Sequence, residues 1–315
     1  MKKIVIIDGY VANSGDLSWD GLKEAGELTV YDRTEPADVI ERSKGAWAIL
    51  TNKVLYTPDI IAQLPELKYI GVLATGYNNV DLDAARQHGI TVTNVPAYSS
   101  DSVAQLVFAH LLNIVNDIHS YAESVNRGDW GGCKDFSYRL RPFDELAGKT
   151  LGIIGFGNIG NRVAEIAKAF GMKVITTSGR KLPEGVERVD LDILLRESDV
   201  VSLNSALTPA TKGIINRESL SKMKPTAILI NTSRGPLVDE EALAEALRSG
   251  KIAAAGIDVL CQEPPRTGSP LIGCPGAYIT PHIAWQSTQA RHRLVDIATE
   301  NLKAFAKGSP VNVVS

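Results

Sequence analysis

Short β-branched and apolar runs recur along the chain, each set off by polar or glycine-containing stretches. KIVIID (residues 3–8), LTVYD (28–32), AWAILT (46–51), KYIGVLA (68–74) and ITVTNV (90–95) read as strands. Between them, DIIAQL and DLDAARQHG read as helical, the second closing at Gly89, where glycine suits a helix C-cap. Strand–helix alternation of this kind predicts a parallel sheet covered by helices. This first unit ends near Val95–Pro96.

The pattern then changes. Residues 99–128, SSDSVAQLVFAHLLNIVNDIHSYAESVNRG, predict one long helix that Ser100 or Asp101 can cap and Gly128 can end. Its middle is apolar nearly all round, so it is expected to be buried between layers or between subunits. GDWGGCKDFSYRLRPFDELAG (128–148) has no period and predicts a long loop, a hint of function or partner contact. Alternation restarts with TLGIIGF, KVITTS, DVVSLN, AILINTS and AAAGIDV as strands and NIGNRVAEIAKAFG and VDEEALAEALRSG as helices. A last amphipathic helix, QSTQARHRLVDIATENLKAFAKG, precedes a short VNVV. The expected fold is α/β, with two doubly wound parallel-sheet domains joined by two long helices. The last helix is expected to cross back, so that residues 1–98 and 286–315 form one discontinuous domain and 99–285 the other.

Composition narrows this picture. A length of 315 residues suits two domains, and 44% hydrophobic with 22% charged residues describes an ordinary globular protein. A formal net charge of −3 gives no reason to expect nucleic acid or a membrane surface as partner. Cys133, Cys261 and Cys274 form no CxxC pair and suggest a reducing compartment. The N-terminal apolar run stops at Asp8, too short for a signal peptide, and no run approaches the ~18 apolar residues of a membrane helix. A cytoplasmic protein is expected.

The candidate chemistry starts at Gly155-Phe156-Gly157-Asn158-Ile159-Gly160, which follows an apolar strand and opens a helix. In that setting Gly155 permits a tight turn, Gly157 lets a pyrophosphate approach the backbone, and Gly160 packs helix on strand. The N–H groups of Asn158 and Ile159 can hold the anion with the helix dipole. This makes the middle of the chain the dinucleotide-binding domain.

Arg234 (NTSRG), Glu263 (CQEPP) and His282 (TPHIAW) follow strand-like or loop segments, where open α/β sheets place ligand contacts. Singly, each has an ordinary reading: a surface ion pair, a solvated or capping carboxylate, a structural histidine. Together they suit one reaction. Arginine grips the carboxylate of an oxoacid and polarises its carbonyl, and histidine donates the proton as hydride arrives. A carboxylate beside the imidazole stabilises its protonated form. His88 lies near a helix end, His110 and His119 inside the long helix and His292 in a basic helical stretch, so these fit less well. There is no HExxH motif and no Cys/His cluster at metal-ligand spacing.

ATGYNNVDLDAA, NVPAYSSDSVAQ, GKTLGIIGFGNIG, LTPATKGIIN, INTSRGPLVDEEAL, AGIDV, EPP and TPHIAW follow one another in the order found in a known family. Over essentially its whole length the chain resembles the D-isomer-specific 2-hydroxyacid dehydrogenases, and HIAW and ATGYNNVD are most similar to the glycerate dehydrogenase (hydroxypyruvate reductase) branch. The resemblance implies a flavodoxin-like substrate domain, a Rossmann nucleotide domain and a homodimer formed through the latter. It implies Arg234, Glu263 and His282 as the catalytic set, with Arg234 and His282 also binding substrate. Thr75 and Gly76 are implied as backbone donors to the substrate carboxylate, and Lys53 as a pocket residue. Asp258 is implied as a contact to the nicotinamide carboxamide, and Val103, Ala206, Thr211 and Thr232 as cofactor-lining positions.

Two departures matter. The family's ribose-binding acid after the second nucleotide-domain strand is replaced by Ser178, followed by Gly179, Arg180 and Lys181. Serine removes the repulsion of a 2′-phosphate and Arg180 offers a fork for its oxygens, so Ser178 and Arg180 point to NADP, with NAD as the alternative. The chain also ends soon after the last helix, which weakens a phosphoglycerate dehydrogenase reading, and Glu263 stands where formate dehydrogenases carry glutamine. The expected reaction is reduction of hydroxypyruvate or glyoxylate to D-glycerate or glycolate, and its reverse. The alternatives are a phosphoglycerate dehydrogenase lacking a regulatory domain and a non-enzymatic, nucleotide-sensing co-repressor-like protein.

Overall fold

A computed structural model describes residues 2–315, and the chain divides into two compact units. Unit 1 holds the chain up to Ser99 together with Gln286–Ser315, and unit 2 is Ser100–Trp285.

Unit 1 opens with β1 (Lys3–Ile6), α1 (Asp20–Lys23), β2 (Glu27–Val30), α2 (Val39–Ser43), β3 (Ala48–Thr51), α3 (Pro58–Ile61), β4 (Tyr69–Val72), α4 (Leu82–Gln87) and β5 (Thr91–Thr93). The sheet is parallel throughout, in the order β2-β1-β3-β4-β5. This is the flavodoxin-like order. Its strands read as unbroken apolar runs because both faces are covered: every residue of β3 and β4 is buried.

Unit 2 comprises α5 (Ser100–Asn116), α6 (Ile118–Asn126), β6 (Thr150–Ile154), α7 (Asn158–Ala169), β7 (Lys173–Thr176), β8 (Val186–Arg188), α8 (Leu191–Glu197), β9 (Val200–Leu203), α9 (Arg217–Lys222), β10 (Ile228–Asn231), α10 (Glu240–Arg248), β11 (Ala254–Ile257) and β12 (Ala277–Ile279). Its parallel sheet runs β12-β11-β10-β9-β6-β7-β8. Counted from β6 this is the Rossmann order with one strand added at the far edge.

The single long helix expected over 99–128 is two helices. Asp117 stands between α5 and α6 in the left-handed region (φ 51°), which an α-helix cannot pass through. Its carboxylate receives bonds from Ser120 Oγ (2.8 Å) and Arg141 Nε (3.1 Å). Asp is among the residues that tolerate this conformation through such local bonds. The segment after α6 contains no helix or strand up to β6. It is tied down by Ser124 Oγ to Tyr138 Oη (2.6 Å) and Arg141 Nη2 to the Ile114 carbonyl (2.6 Å).

The chain returns to unit 1 in α11 (Thr288–Ala306), whose Leu294, Ala298 and Leu302 are buried. Phe305 stacks on Tyr69 (centroids 4.9 Å apart) and packs beside Trp47 at 5.2 Å. Asn301 Nδ2 donates to the Asn94 carbonyl (2.9 Å), the Arg291 guanidinium forks onto the Asp16 carboxylate, and Val313 bridges antiparallel to Thr93. Across all described residues, no helix is long and apolar enough to cross a membrane.

Candidate active site

In unit 2 the strand order reverses between β6 and β9, which opens a crevice at their carboxyl ends. The turn leaving β6 is built for close approach. Gly155 takes φ 92°, and a Cβ there would lie 2.5 Å from the Ser205 nitrogen. At Gly160 a Cβ would lie 2.4 Å from the Gly155 carbonyl oxygen, so only glycine lets α7 start this near the strand. At Gly157 a Cβ would meet nothing within 4 Å, so the space is open on the side a ligand would use. Gly157 is also the N-cap of α7 with no side chain capping it, which leaves the N–H groups of the first turn, Asn158 and Ile159 included, without a side-chain acceptor.

Three polar atoms at this end of the sheet are buried without a hydrogen-bond partner among the described residues: Asn204 Oδ1, Ser205 Oγ and Thr232 Oγ1. They follow β9 and β10. Orphaned buried donors and acceptors are costly, and a dinucleotide lying along this edge would satisfy them. The residues therefore fit a nicotinamide nucleotide. The family resemblance implies Thr232, whereas nothing in the residue types of Asn204 and Ser205 marks them apart from their place after an apolar run.

The other cofactor candidates take varied positions. Thr211 Oγ1 donates to the Ala206 carbonyl (2.8 Å) and closes the loop that carries both. Val103 is buried in α5. Ser178 and Arg180 follow β7, the Ser178 Oγ accepting from the Arg180 N–H at 3.2 Å. Arg180 is exposed, its carbonyl accepting from Arg188 Nη2 (3.1 Å), and a Cβ on Gly179 would meet nothing within 4 Å.

Arg234, Glu263 and His282 follow β10, β11 and β12, three neighbouring strands, at their carboxyl ends. The loops touch. A Cβ on Gly235 would lie 2.0 Å from the Leu260 carbonyl carbon, so the residue after Arg234 must be glycine for the two segments to pack. Arg234 is half-buried, with Nη1 on the Ser233 carbonyl at 2.7 Å. His282 Nδ1 lies 2.7 Å from Glu263 Oε2. A carboxylate only accepts, so Nδ1 carries the hydrogen and Nε2 is the nitrogen turned to other chemistry. Glu263 Oε1 accepts from the Leu260 N–H at 3.0 Å, which fixes the carboxylate.

Asp258, at the end of β11, is 1% exposed, and its carboxylate is engaged by the loop that carries His282. Oδ1 accepts from Thr280 Oγ1 (2.6 Å) and the Ile283 N–H (2.9 Å), and Oδ2 from the Ala284 N–H (2.9 Å). The family resemblance implies this residue only as a contact to the nicotinamide. Its grip on both flanks of His282 follows from the return of the chain after β12.

In unit 1, Lys53 follows β3, and Thr75 and Gly76 follow β4, again at carboxyl ends. Asp8, mostly buried after β1, gathers the loop that carries Lys53: its carboxylate accepts from the N–H groups of Asn52 (2.8 Å), Lys53 (2.6 Å) and Val54 (3.1 Å). Burial nonetheless pushes its pKa above the usual carboxylate value against those bonds. Thr75 Oγ1 donates to the Val95 carbonyl (2.9 Å) and the Thr75 carbonyl accepts from Asn94 Nδ2 (2.7 Å).

The family model for the D-isomer specific 2-hydroxyacid dehydrogenase NAD binding domain matches residues 108–284. The chain belongs to this family. It is 46% identical over 320 residues to a hydroxypyruvate reductase of Blautia hydrogenotrophica, covering 99% of each chain. It is 43% identical over 316 residues to a glycerate dehydrogenase of Methylorubrum extorquens, again covering 99% of each. Among solved structures it resembles an acyclic imino acid reductase in complex with NADPH and D-Arg, with a TM-score of 0.89, 33% identity, and coverage of 99% of this chain and 100% of that one. The protein is thus an oxidoreductase that interconverts small 2-oxoacids and D-2-hydroxyacids with an NAD(P)-binding domain in unit 2. Relatives of nearly equal length with these names do not favour the phosphoglycerate or non-enzymatic readings.

Proposed function

We propose that the enzyme reduces hydroxypyruvate and glyoxylate to D-glycerate and glycolate, with NADPH as the preferred donor, and catalyses the reverse. The observation that carries the catalytic assignment is the 2.7 Å bond between His282 Nδ1 and Glu263 Oε2, on a loop neighbouring that of Arg234. Reduced nicotinamide, when bound, supplies the hydride. Arg234 holds the carboxylate of the oxoacid and polarises its carbonyl, a task for a planar fork. His282, protonated with Glu263 as counter-ion, gives its Nε2 proton to the carbonyl oxygen as negative charge develops there. In the reverse direction the neutral ring takes that proton back. In unit 1 the candidate substrate contacts are Thr75, Gly76 and Lys53.

For the nucleotide, Ser178 brings no charge to repel a 2′-phosphate, Gly179 leaves room, and exposed Arg180 supplies a cation. Assembly as a homodimer through unit 2 is supported by the apolar surface around α6 and the segment after it, where Phe136 is 91% exposed and Ile118 65%. A cytoplasmic location fits the three cysteines, all free.

The decisive experiment is a panel of hydroxypyruvate, glyoxylate, pyruvate and phosphohydroxypyruvate, each with NADPH and NADH. The highest kcat/KM is expected for hydroxypyruvate or glyoxylate with NADPH. A preference for phosphohydroxypyruvate or pyruvate would overturn the substrate assignment.

A further inference from the structure

His110 lies in the middle of α5, 5% exposed, and its ring is pressed against the sheet where β11 carries Gly256. A Cβ on Gly256 would come within 2.7 Å of His110 Cβ and 2.8 Å of Cγ, so this glycine makes the space for the imidazole. A buried polar ring on an otherwise apolar face calls for a partner. His110 Nε2 has one, Thr280 Oγ1 at 3.0 Å, and Thr280 Oγ1 is in turn 2.6 Å from Asp258 Oδ1.

Counting protons fixes the direction of these bonds. The Asp258 carboxylate can only accept, so the one hydroxyl hydrogen of Thr280 goes to Oδ1. The hydroxyl oxygen is then left as an acceptor, and His110 must carry its hydrogen on Nε2. Burial lowers the His110 pKa, against the pull of Asp258, which favours the neutral ring, and the bond to Thr280 selects its Nε2–H form. The chain His110–Thr280–Asp258 therefore runs one way, each group donating to the next.

Its end point is the loop that bears His282. That loop is strained, with His282 at φ 54°. A non-glycine residue persists there only when its surroundings hold it. The holding contacts are the His282 N–H to the Asp258 carbonyl (2.8 Å), the Ile283 and Ala284 N–H groups to the Asp258 carboxylate (2.9 Å each), and Ser102 Oγ of α5 to the Ala284 carbonyl (2.6 Å). The Thr280 hydroxyl is the clamp on the other side of His282, and its orientation is set by His110.

We propose that His110 is a positioning residue for proton transfer: by donating to Thr280 it keeps the hydroxyl on Asp258 and so holds His282 in its reactive place. It touches neither substrate nor nucleotide in this role. The inference rests on His282 as the proton donor.

The test is steady-state reduction of hydroxypyruvate by the full-length enzyme, with the solvent deuterium isotope effect on kcat as second readout. His110→Leu is expected to lower kcat about tenfold, the weight of one neutral hydrogen bond, while KM for hydroxypyruvate stays within about twofold. The isotope effect should rise, because the proton step becomes slower. His110→Gln, whose amide nitrogen stands the same number of bonds from the backbone as Nε2, should recover most of the rate. Thr280→Val should lose as much as His110→Leu, and the double variant should be no slower than Thr280→Val alone. Should His110→Leu fail to fold, His110→Met against His110→Gln carries the same comparison, with the loss expected only in methionine. A folded His110→Leu enzyme with normal kcat and isotope effect overturns the proposal, as do losses that add fully in the double variant. His282→Ala separates the two levels. If it is inactive while His110→Leu is normal, only the positioning role fails; if it is fully active, the proton-donor assignment fails.

Discussion

The backbone N–H of His282 donates to the carbonyl of Asp258 at 2.8 Å while His282 itself sits at φ 54°, so the candidate proton donor occupies a left-handed residue pinned to the end of the neighbouring strand β11. A Cβ in this region costs roughly 1–2 kcal/mol. Two variants that both remove the imidazole should therefore differ in stability. His282→Gly relieves the backbone and His282→Ala does not, so the glycine variant is expected to be more stable by about 1 kcal/mol, less whatever glycine gains in the unfolded chain. Denaturant unfolding of the pair checks this, and an alanine variant as stable as the glycine one contradicts it. Both should lose about 10²–10⁴-fold in kcat, the usual worth of a general acid.

Glu263→Gln keeps the shape beside His282 but removes the charge that holds a protonated ring. Reduction by this variant is expected to be slower in kcat, with KM for the oxoacid little changed, because the charge that stabilises the imidazole as it donates its proton is gone. A normal kcat would mean that Glu263 only orients the imidazole.

Arg234→Lys replaces a two-pronged donor by a point charge. Both KM for the oxoacid and kcat should suffer, because gripping the carboxylate and polarising the carbonyl need two directed bonds. Normal kinetics in the lysine variant would reduce Arg234 to a surface cation.

Nucleotide choice should follow the turn after β7. One charge-assisted contact to a 2′-phosphate gives on the order of a tenfold to hundredfold preference for NADPH in kcat/KM. Ser178→Asp with Arg180→Ala should reverse it. Equal efficiency with the two nucleotides in the unmodified enzyme would refute the assignment.

How far these residues were legible in advance depended on what a linear pattern records. The apolar runs located ten strands, because parallel strands buried on both faces leave continuous hydrophobic signatures. The strands β8 and β12 left none: VER is an edge strand with two exposed residues, and AYI is three residues long and half-exposed. The break at Asp117 was invisible because helical periodicity carries across a single left-handed residue. The glycine turn, Arg234, Glu263 and His282 were marked by motif and position. His110 is one residue inside a long apolar helix, and its partner Thr280 lies 170 positions away, a pairing that only the packing of α5 against the sheet creates. Asp258 was similarly read for its ligand side alone.

The Asp16–Arg291 fork ties an early loop of unit 1 to α11 and gives a pH signature. Its hydrogen bonds to Arg291 hold the Asp16 carboxyl down to about 2. A folded-state pKa below the unfolded value contributes stability that is present above about pH 4 and lost as pH falls through about 2. Melting curves of the enzyme and Asp16→Asn should therefore differ most near neutrality and converge toward pH 2. A gap between them that stays constant over this range would show that the pair adds nothing through its charge.

The same fork, with Phe305 on Tyr69 and Val313 beside Thr93, bears on how the protein is made. Five strands of unit 1 leave the ribosome first, yet the face that α11 covers stays bare until residues 288–306 have been synthesised. Unit 2 is contiguous and has all its strands in hand before that point. The nascent chain thus completes its middle before its beginning, and for the whole of that interval the apolar side of Tyr69 and Trp47 waits for a helix encoded near the far end of the message.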